Sequence, residues 1–94
     1  MRPALSIVVP HYGDPEPTRD LLAQLAAQRY EGAVQVIVSD DASPEPFTAD
    51  GCDVVRRDRN GGFGSAVNSG VAVAEHDLLL VLNSDITIEE SFLA

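Results

Sequence analysis

Lysine is absent from these 94 residues, and six basic side chains face fifteen acidic ones, for a formal net charge of −9. That balance repels a nucleic-acid backbone, and no basic stripe offsets it, so a nucleic-acid partner is excluded. Cysteine occurs once, at Cys52. An internal disulfide is therefore ruled out, and a reducing, cytoplasmic location is expected. Cys52 itself reads as an inert thiol near a loop, because no His–Asp pair is arranged around it. Long apolar runs are missing too. The longest, Leu78 to Leu82, falls far short of a bilayer span. Met1-Arg2-Pro3 leads into a short strand-like run and not into a signal-peptide pattern, so no leader is expected. A hydrophobic content of 45% with a mean hydropathy of +0.01 indicates one small globular domain and no disordered chain.

What is present alternates between short β-branched runs and helical periodicities, which predicts an α/β domain with a mostly parallel sheet and flanking helices. Leu5 to Val9 is a near-continuous apolar strand that Pro10 should end, having no N–H to give to the ladder. A first helix starts near Asp14-Pro15 or at Thr18, carries Leu21, Leu22, Leu25 and Ala26 as its buried stripe, and stops near Gly32. Val34 to Ser39 is a second strand, and Asp41-Ala42-Ser43-Pro44 has turn chemistry. Residues 45–51 fit either a loop or a frayed helix. Val54-Val55 centres a weak third strand.

Glycines at 61, 62 and 64 precede a second helix. There Phe63, Ala66, Val67, Gly70, Val71 and Ala74 form an amphipathic stripe, read as core. Leu78 to Leu82 is expected as a buried fourth strand, with a helix beginning at Glu89 and running to Ala94. No repeat, low-complexity tract or linker interrupts the chain.

In β-α-β units the strands run parallel, so their carboxyl ends share one edge of the sheet, and ligands of open α/β sheets bind there. Three groups reach that edge: Pro10-His11-Tyr12, Asp40-Asp41 and Asn83-Ser84-Asp85. Carboxylates gathered at one rim are hard oxygen ligands suited to Mg²⁺ or Mn²⁺. An acidic protein that handles a phosphorylated ligand generally needs such a cation. Tyr12 offers either a stacking face for a base or a loop aromatic packed on the sheet edge. Asp40 reads as the cap of the loop after the second strand, and His11 as an exposed loop residue, not a base. Asp85 can serve as a metal ligand or as a helix N-cap. Asn68 stays open between the helix surface and a contact near a nucleotide. The glycine turn itself lacks the lysine of a P-loop and the spacing of a dinucleotide fingerprint.

Four blocks, taken in order, resemble the N-terminal portion of family 2 glycosyltransferases. They are Ser6-Ile7-Val8-Val9-Pro10-His11-Tyr12; Val38-Ser39-Asp40-Asp41-Ala42-Ser43; Arg59-Asn60-Gly61-Gly62-Phe63 with Ala66 and Asn68-Ser69-Gly70; and Leu80-Val81-Leu82-Asn83-Ser84-Asp85. Each block alone is weak, since strand-Asp-Asp-turn is common; the four in order are specific. The resemblance implies the GT-A (Rossmann-like) fold, truncated, with residues 1–94 as the nucleotide-sugar-binding part of a glycosyltransferase domain.

It further implies a nucleotide site built from Pro10, Tyr12, Asp41, Asn60, Gly62, Asn68 and Asn83. Asp41 would accept from a pyrimidine N3–H, and Asp85 would bind a Mg²⁺ or Mn²⁺ that bridges the donor diphosphate. Asn83 stands where the family's DXD motif usually has its first Asp, as in a rhamnosyltransferase-like branch. This adds dTDP-rhamnose to the UDP-sugars as a donor. Gly13 replaces a frequent Asn. No catalytic base is implied within these residues; in inverting members it lies in the acceptor half, expected beyond residue 94.

The implied reaction is sugar transfer to the hydroxyl of a glycan or lipid-linked acceptor, in polysaccharide or glycoconjugate biosynthesis, in the cytoplasm or peripherally at the inner face of the membrane. The competing reading is a non-catalytic nucleotide-binding or interaction module. A phospho-receiver is disfavoured because no lysine completes its site, and a nucleotidyltransferase because its basic loop after the first strand is missing. An α/β sheet cut off here would leave apolar surface open, with partial stability or a homodimer as the expected consequence.

Overall fold

The computed structural model describes residues 3–89 and 92–93. Its elements run β1 (Leu5–His11), α1 (Pro15–Ala26), β2 (Val34–Asp40), β3 (Asp53–Arg56), α2 (Phe63–Val71) and β4 (Leu78–Val81). All strand pairs are parallel, and the sheet order is β3-β2-β1-β4. The α/β class expected from the alternating pattern is the one observed.

One face of the sheet carries Leu5, Ile7, Val9 and Val38, which pack with Leu21 and Leu25 of α1, Phe47 and Leu82 in the main core. On the opposite face α2 lies against β1. Its buried positions are Ala66 and Gly70, and Gly70 lies directly over Val8. Helix α1 begins at the first of the two expected starts. Asp14 is its N-cap, accepting from the Glu16 N–H at 3.0 Å, and Pro15 opens the first turn.

Several local expectations are corrected. Proline 10 does not end β1, which continues to His11. Backbone groups alternate between the two neighbouring strands. Val8 faces β4, its carbonyl accepting from Leu82 N–H, so Pro10 points the same way, past the last β4 pair at Val81. No ladder partner there needs its missing N–H.

Helix α1 stops at Ala26 with Ala27 as its cap, well before Gly32. Gln28 then serves tertiary contacts, donating to the Glu89 carbonyl at 2.6 Å and accepting from Leu93 N–H at 2.9 Å. Ala26, expected in the buried stripe, is exposed, whereas Thr18 joins Leu21 and Leu25 inside. Residues 45–51 form an irregular loop, anchored by the buried Phe47.

Strand β4 is not buried. Leu78, Leu79 and Val81 are 50%, 41% and 39% exposed, because β4 is an edge strand with β1 on one side only. Of the expected helix from Glu89 to Ala94, residues 90, 91 and 94 lie outside the described residues, and Glu89 and Phe92 are joined by a turn bond at 3.0 Å.

Candidate functional site

The strand order places a reversal beside β1: the chain moves from β1 through β2 to β3, then crosses back to put β4 on the other flank. The crevice outside the carboxyl ends at such a reversal is where open α/β sheets bind ligands. A cleft of about 410 Å³ opens there. Its walls are Pro10, His11 and Tyr12 from the end of β1, Asp41 after β2, Asn60, Gly62, Phe63 and Ala66 around the start of α2, and Asn83, Ser84 and Asp85 after β4. The volume is in the range of small-molecule sites.

Two of these segments, the turn after β2 and the start of α2, reach the cleft through an identifiable local cause. Asp41 extends the β1–β2 ladder by one more bond, its N–H donating to the His11 carbonyl at 2.9 Å. The next residue, Ala42, has φ of 63°, a left-handed conformation that costs about 1–2 kcal/mol for a residue with a Cβ. The bonds around it hold it there: Ser43 N–H donates to Asp40 Oδ1 at 3.1 Å, and the Ser43 hydroxyl accepts from Gly13 N–H at 2.9 Å. Gly62, with φ 90° and ψ 178°, occupies a region open essentially to glycine alone. That bend starts α2 and turns the Gly62 N–H inward.

Asp40 and Asp41, adjacent in sequence, face opposite sides of the sheet. Asp40 is fully buried and organises the following loop, in keeping with its reading as the cap of that loop. Its carboxylate accepts from Ser43 N–H, from Phe47 N–H at 2.9 Å and from Arg56 at 2.8 Å. Burial alone would push its carboxyl up, but the hydrogen bonds from Ser43, Phe47 and Arg56 outweigh that and hold it at about 2.

Asp41 is oriented just as firmly. Oδ1 accepts from Arg57 Nε at 2.7 Å and Gly61 N–H at 3.0 Å, and Oδ2 accepts from Gly62 N–H at 2.8 Å. Its burial acts to raise the pKa, yet the two glycine N–H groups and the Arg57 guanidinium bring it below the ordinary value. Asp41 is therefore ionised and compensated where it meets the cleft.

His11 departs from its expected exposed place: it is 3% exposed, at the end of β1. The strand's extension past Pro10 carries it inside, where Nδ1 shares a 2.6 Å hydrogen bond with Thr18 Oγ1 and the ring tilts against Phe47. Burial pushes its imidazole below the ordinary value, partly opposed by Asp40. Its Nε2 and the Ser39 hydroxyl are buried without a hydrogen-bond partner among the described residues.

Of the residues expected to bind a nucleotide, Pro10, Tyr12, Asp41, Asn60, Gly62 and Asn83 line one cleft together with Asp85. Asn68 does not: it sits on the exposed surface of α2. Phe63, assigned to the core by its helical spacing, is 59% exposed and lines the cleft. Helical periodicity could not separate these fates, because the first turn of α2 projects past the core to the sheet edge. Ser84 and Ala66 also line the cleft; Ser84 was legible only as the residue between Asn83 and Asp85.

Asp85 is exposed, and no group of three or more His, Cys, Asp or Glu side chains is placed to hold a metal ion among the described residues. No arginine or lysine lines the cleft among them either.

A four-stranded parallel sheet with flanking helices and a cleft at its carboxyl edge defines an α/β domain of the GT-A type. Crystal structures bear the likeness out. Residues 1–349 of S. aureus TarS match with a TM-score of 0.78 and 28% identity over 92% of this chain and 28% of that one. The same TarS portion in complex with UDP matches with 0.83 and 27% identity over 95% and 29%. The mannosyltransferase PcManGT from Pyrobaculum calidifontis, in complex with GDP-Man and Mn²⁺, matches with 0.77 over 90% and 28%; at 20% identity it shows the fold alone.

The chain belongs to glycosyl transferase family 2, whose family model matches residues 6–94. It spans a little over a quarter of the length of these solved structures. No curated protein sequence matches it. No helix among the described residues is long and apolar enough to cross a membrane.

Proposed function

We propose that residues 1–94 form the nucleotide-sugar-binding part of a glycosyltransferase, with the cleft between β1, β2 and β4 as its donor site. The observation that carries this reading is the convergence of Tyr12, Asp41, Asn60 and Asp85, from four separate segments, on one cleft in a chain of this family. The base lies against Pro10 and Tyr12 with its N3–H on Asp41, a carboxylate held ionised and able only to accept. Asn60 and Gly62 flank the nucleotide, and Asn83 orients ribose or water without adding charge. Asn68 is left as a surface residue. A UDP- or dTDP-linked donor suits the Asp41 acceptor, and the Asn83-Ser84-Asp85 sequence supports a rhamnosyltransferase-like branch.

The donor set fits a resident Mg²⁺ or Mn²⁺ in one specific way. A single exposed carboxylate cannot cage an ion, but Mg²⁺ is commonly held by one or two carboxylates, substrate phosphates and water. Asp85 would hold it, and when bound it supplies a Lewis acid for charge developing on the departing nucleoside diphosphate. Among the described residues no lysine or arginine lines the cleft to neutralise a diphosphate, which favours this arrangement. Transfer inverts the sugar and goes to the hydroxyl of a glycan or lipid-linked acceptor, in the cytoplasm or at the inner face of the membrane.

A second reading, nucleotide binding without turnover, is favoured by one observation. The cleft's carboxylates among the described residues are Asp41, which is engaged with Arg57, and Asp85, the proposed metal ligand, so neither is spare to serve as a general base. The exposed apolar edge of β4 would then serve a second copy of the chain or a further protein segment.

Thermal shift with a panel of nucleotides tests the proposal. UDP and dTDP should raise the melting temperature with Mn²⁺ present, and ADP should not. Equal responses to all three would remove the base-reading site.

A further inference from the structure

The Asp41 carboxylate is divided between the protein and the cleft. A carboxylate offers about four lone-pair directions. Arg57 Nε and Gly61 N–H occupy two on Oδ1, and Gly62 N–H occupies one on Oδ2, where Gly61 makes a longer contact of 3.2 Å. Three donors thus serve four directions, with the single Gly61 N–H shared between the two oxygens, so Oδ2 keeps the capacity to accept from one more donor. The side chain is 5% exposed, and the surface it reaches is the cleft.

Arg57 lies behind this group and outside the cleft. Its Nη1 donates to the Ser65 carbonyl at 3.3 Å and to the Ser69 hydroxyl at 2.5 Å, so α2 fixes the guanidinium while Nε fixes Asp41. The guanidinium also presses on the glycine turn: a Cβ at Gly61 would sit 2.6 Å from Arg57 Nη2. One side chain thus ties the carboxylate, the turn and the helix into a single rigid unit. Because the guanidinium is planar and its donors are fixed, the Nη1 contacts to α2 set the direction from which Nε meets Asp41.

We propose that Arg57 is a positioning residue for base selection: by clamping Asp41 it presents one carboxylate lone pair to the cleft, so that the site takes uracil or thymine, whose N3 carries a proton, and refuses cytosine, whose N3 is an acceptor. This rests on the donor-site reading above and goes further by naming the residue that enforces the base preference. Removing the clamp frees the Asp41 side chain to rotate and leaves its charge uncompensated, so the loss falls on the nucleotides that need an acceptor at that point.

Calorimetric titration of UDP, dTDP and CDP, all with Mn²⁺, tests this on the wild-type chain and on Arg57→Met, Arg57→Lys, Ser69→Ala and Asp41→Asn. The wild type should prefer UDP and dTDP over CDP. Arg57→Met should lose about tenfold or more in UDP affinity with little change for CDP, so the preference collapses. Arg57→Lys restores part of it, keeping the charge but not the simultaneous reach to Asp41 and α2, and Ser69→Ala, which removes one anchor of the guanidinium, loses a smaller share. A preference kept in full by a folded Arg57→Met overturns the proposal; if that variant does not fold, a preference kept in full by both Arg57→Lys and Ser69→Ala overturns it. A wild type without preference removes the base-reading site itself. A preference lost in Asp41→Asn but kept in the Arg57 and Ser69 variants removes the role of Arg57 alone.

Discussion

Gly70 of α2 packs so tightly on Val8 of β1 that a Cβ at position 70 would lie 2.5 Å from Val8 Cγ1. The missing side chain brings α2 close to the sheet, and with it the glycine turn that forms one wall of the cleft. Gly70→Ala gains about 0.5–1 kcal/mol from helix propensity but must displace a buried β-branched side chain, and overpacking costs about 1–3 kcal/mol. The clash should win, with net destabilisation of about 1 kcal/mol. Urea unfolding of Gly70→Ala, alone and combined with Val8→Ala, checks it: the second substitution should recover part of the loss, and strict additivity would show that the two sites do not touch.

Asp41, the proposed base reader, is also tied into the fold through Arg57 and the N–H groups of Gly61 and Gly62. Asp41→Asn should weaken UDP binding and also destabilise the fold by about 2 kcal/mol, since Arg57 loses its counter-charge and one acceptor turns into a donor beside two glycine N–H groups. Denaturant unfolding and nucleotide titration on the same preparation separate the two effects. A variant of unchanged stability would mean that the clamp contributes nothing to folding.

Acid should act in two stages. The His11 ring is held neutral by burial, its pKa below the ordinary 6.5. The stability this gives is complete above that value and is lost as the pH falls through the lowered one. Asp40 follows. With its carboxyl at about 2 against an ordinary 3.8, it contributes about 2 kcal/mol that is fully present above pH 4 and disappears as the pH falls toward 2. Urea midpoints measured from pH 8 to pH 2 should therefore decline in two steps. His11→Phe keeps the ring contact with Phe47 and should erase the first step only; an unchanged first step would assign it to another group.

Much of this was legible in the sequence, and the failures share a cause. The motifs after β1, β2 and β4 sit where parallel strands must end, so topology alone gathers Tyr12, Asp41 and Asp85. Local patterns carry no such information about neighbours. The run from Leu78 to Leu82 reads as buried because it is apolar, whereas exposure depends on whether a strand lies beyond β4. Phe63 fits the helical stripe, yet its turn overhangs the sheet edge. Pro10 looks like a stop until the parity of the β1 ladder shows that its nitrogen faces no partner. Arg57, which holds Asp41 in place, follows β3 with nothing in its spacing to separate it from Arg56 or Arg59.

Phe63 allows a prediction that the sequence reading would have reversed. At 59% exposure its ring contributes little to the core, so Phe63→Ala should leave the melting temperature within about 2 °C of wild type. A core phenylalanine would cost about 3–5 kcal/mol. The same substitution removes an apolar wall of the cleft and should weaken UDP and dTDP binding severalfold. Loss of stability with unchanged affinity would return Phe63 to the core.

Asp85 gives the sharpest test of the cation. It is exposed, so Asp85→Ala should not change the stability of the free chain measurably. In the wild type, Mn²⁺ should enlarge the UDP-induced rise in melting temperature, and EDTA should abolish the enlargement. In Asp85→Ala the shift with UDP should be the same in Mn²⁺ and in EDTA, while the residual shift and the preference for UDP over CDP persist through Asp41. Manganese dependence that survives the substitution would place the ion elsewhere. A wild-type shift equal in both media would mean that the cleft binds its nucleotide without one.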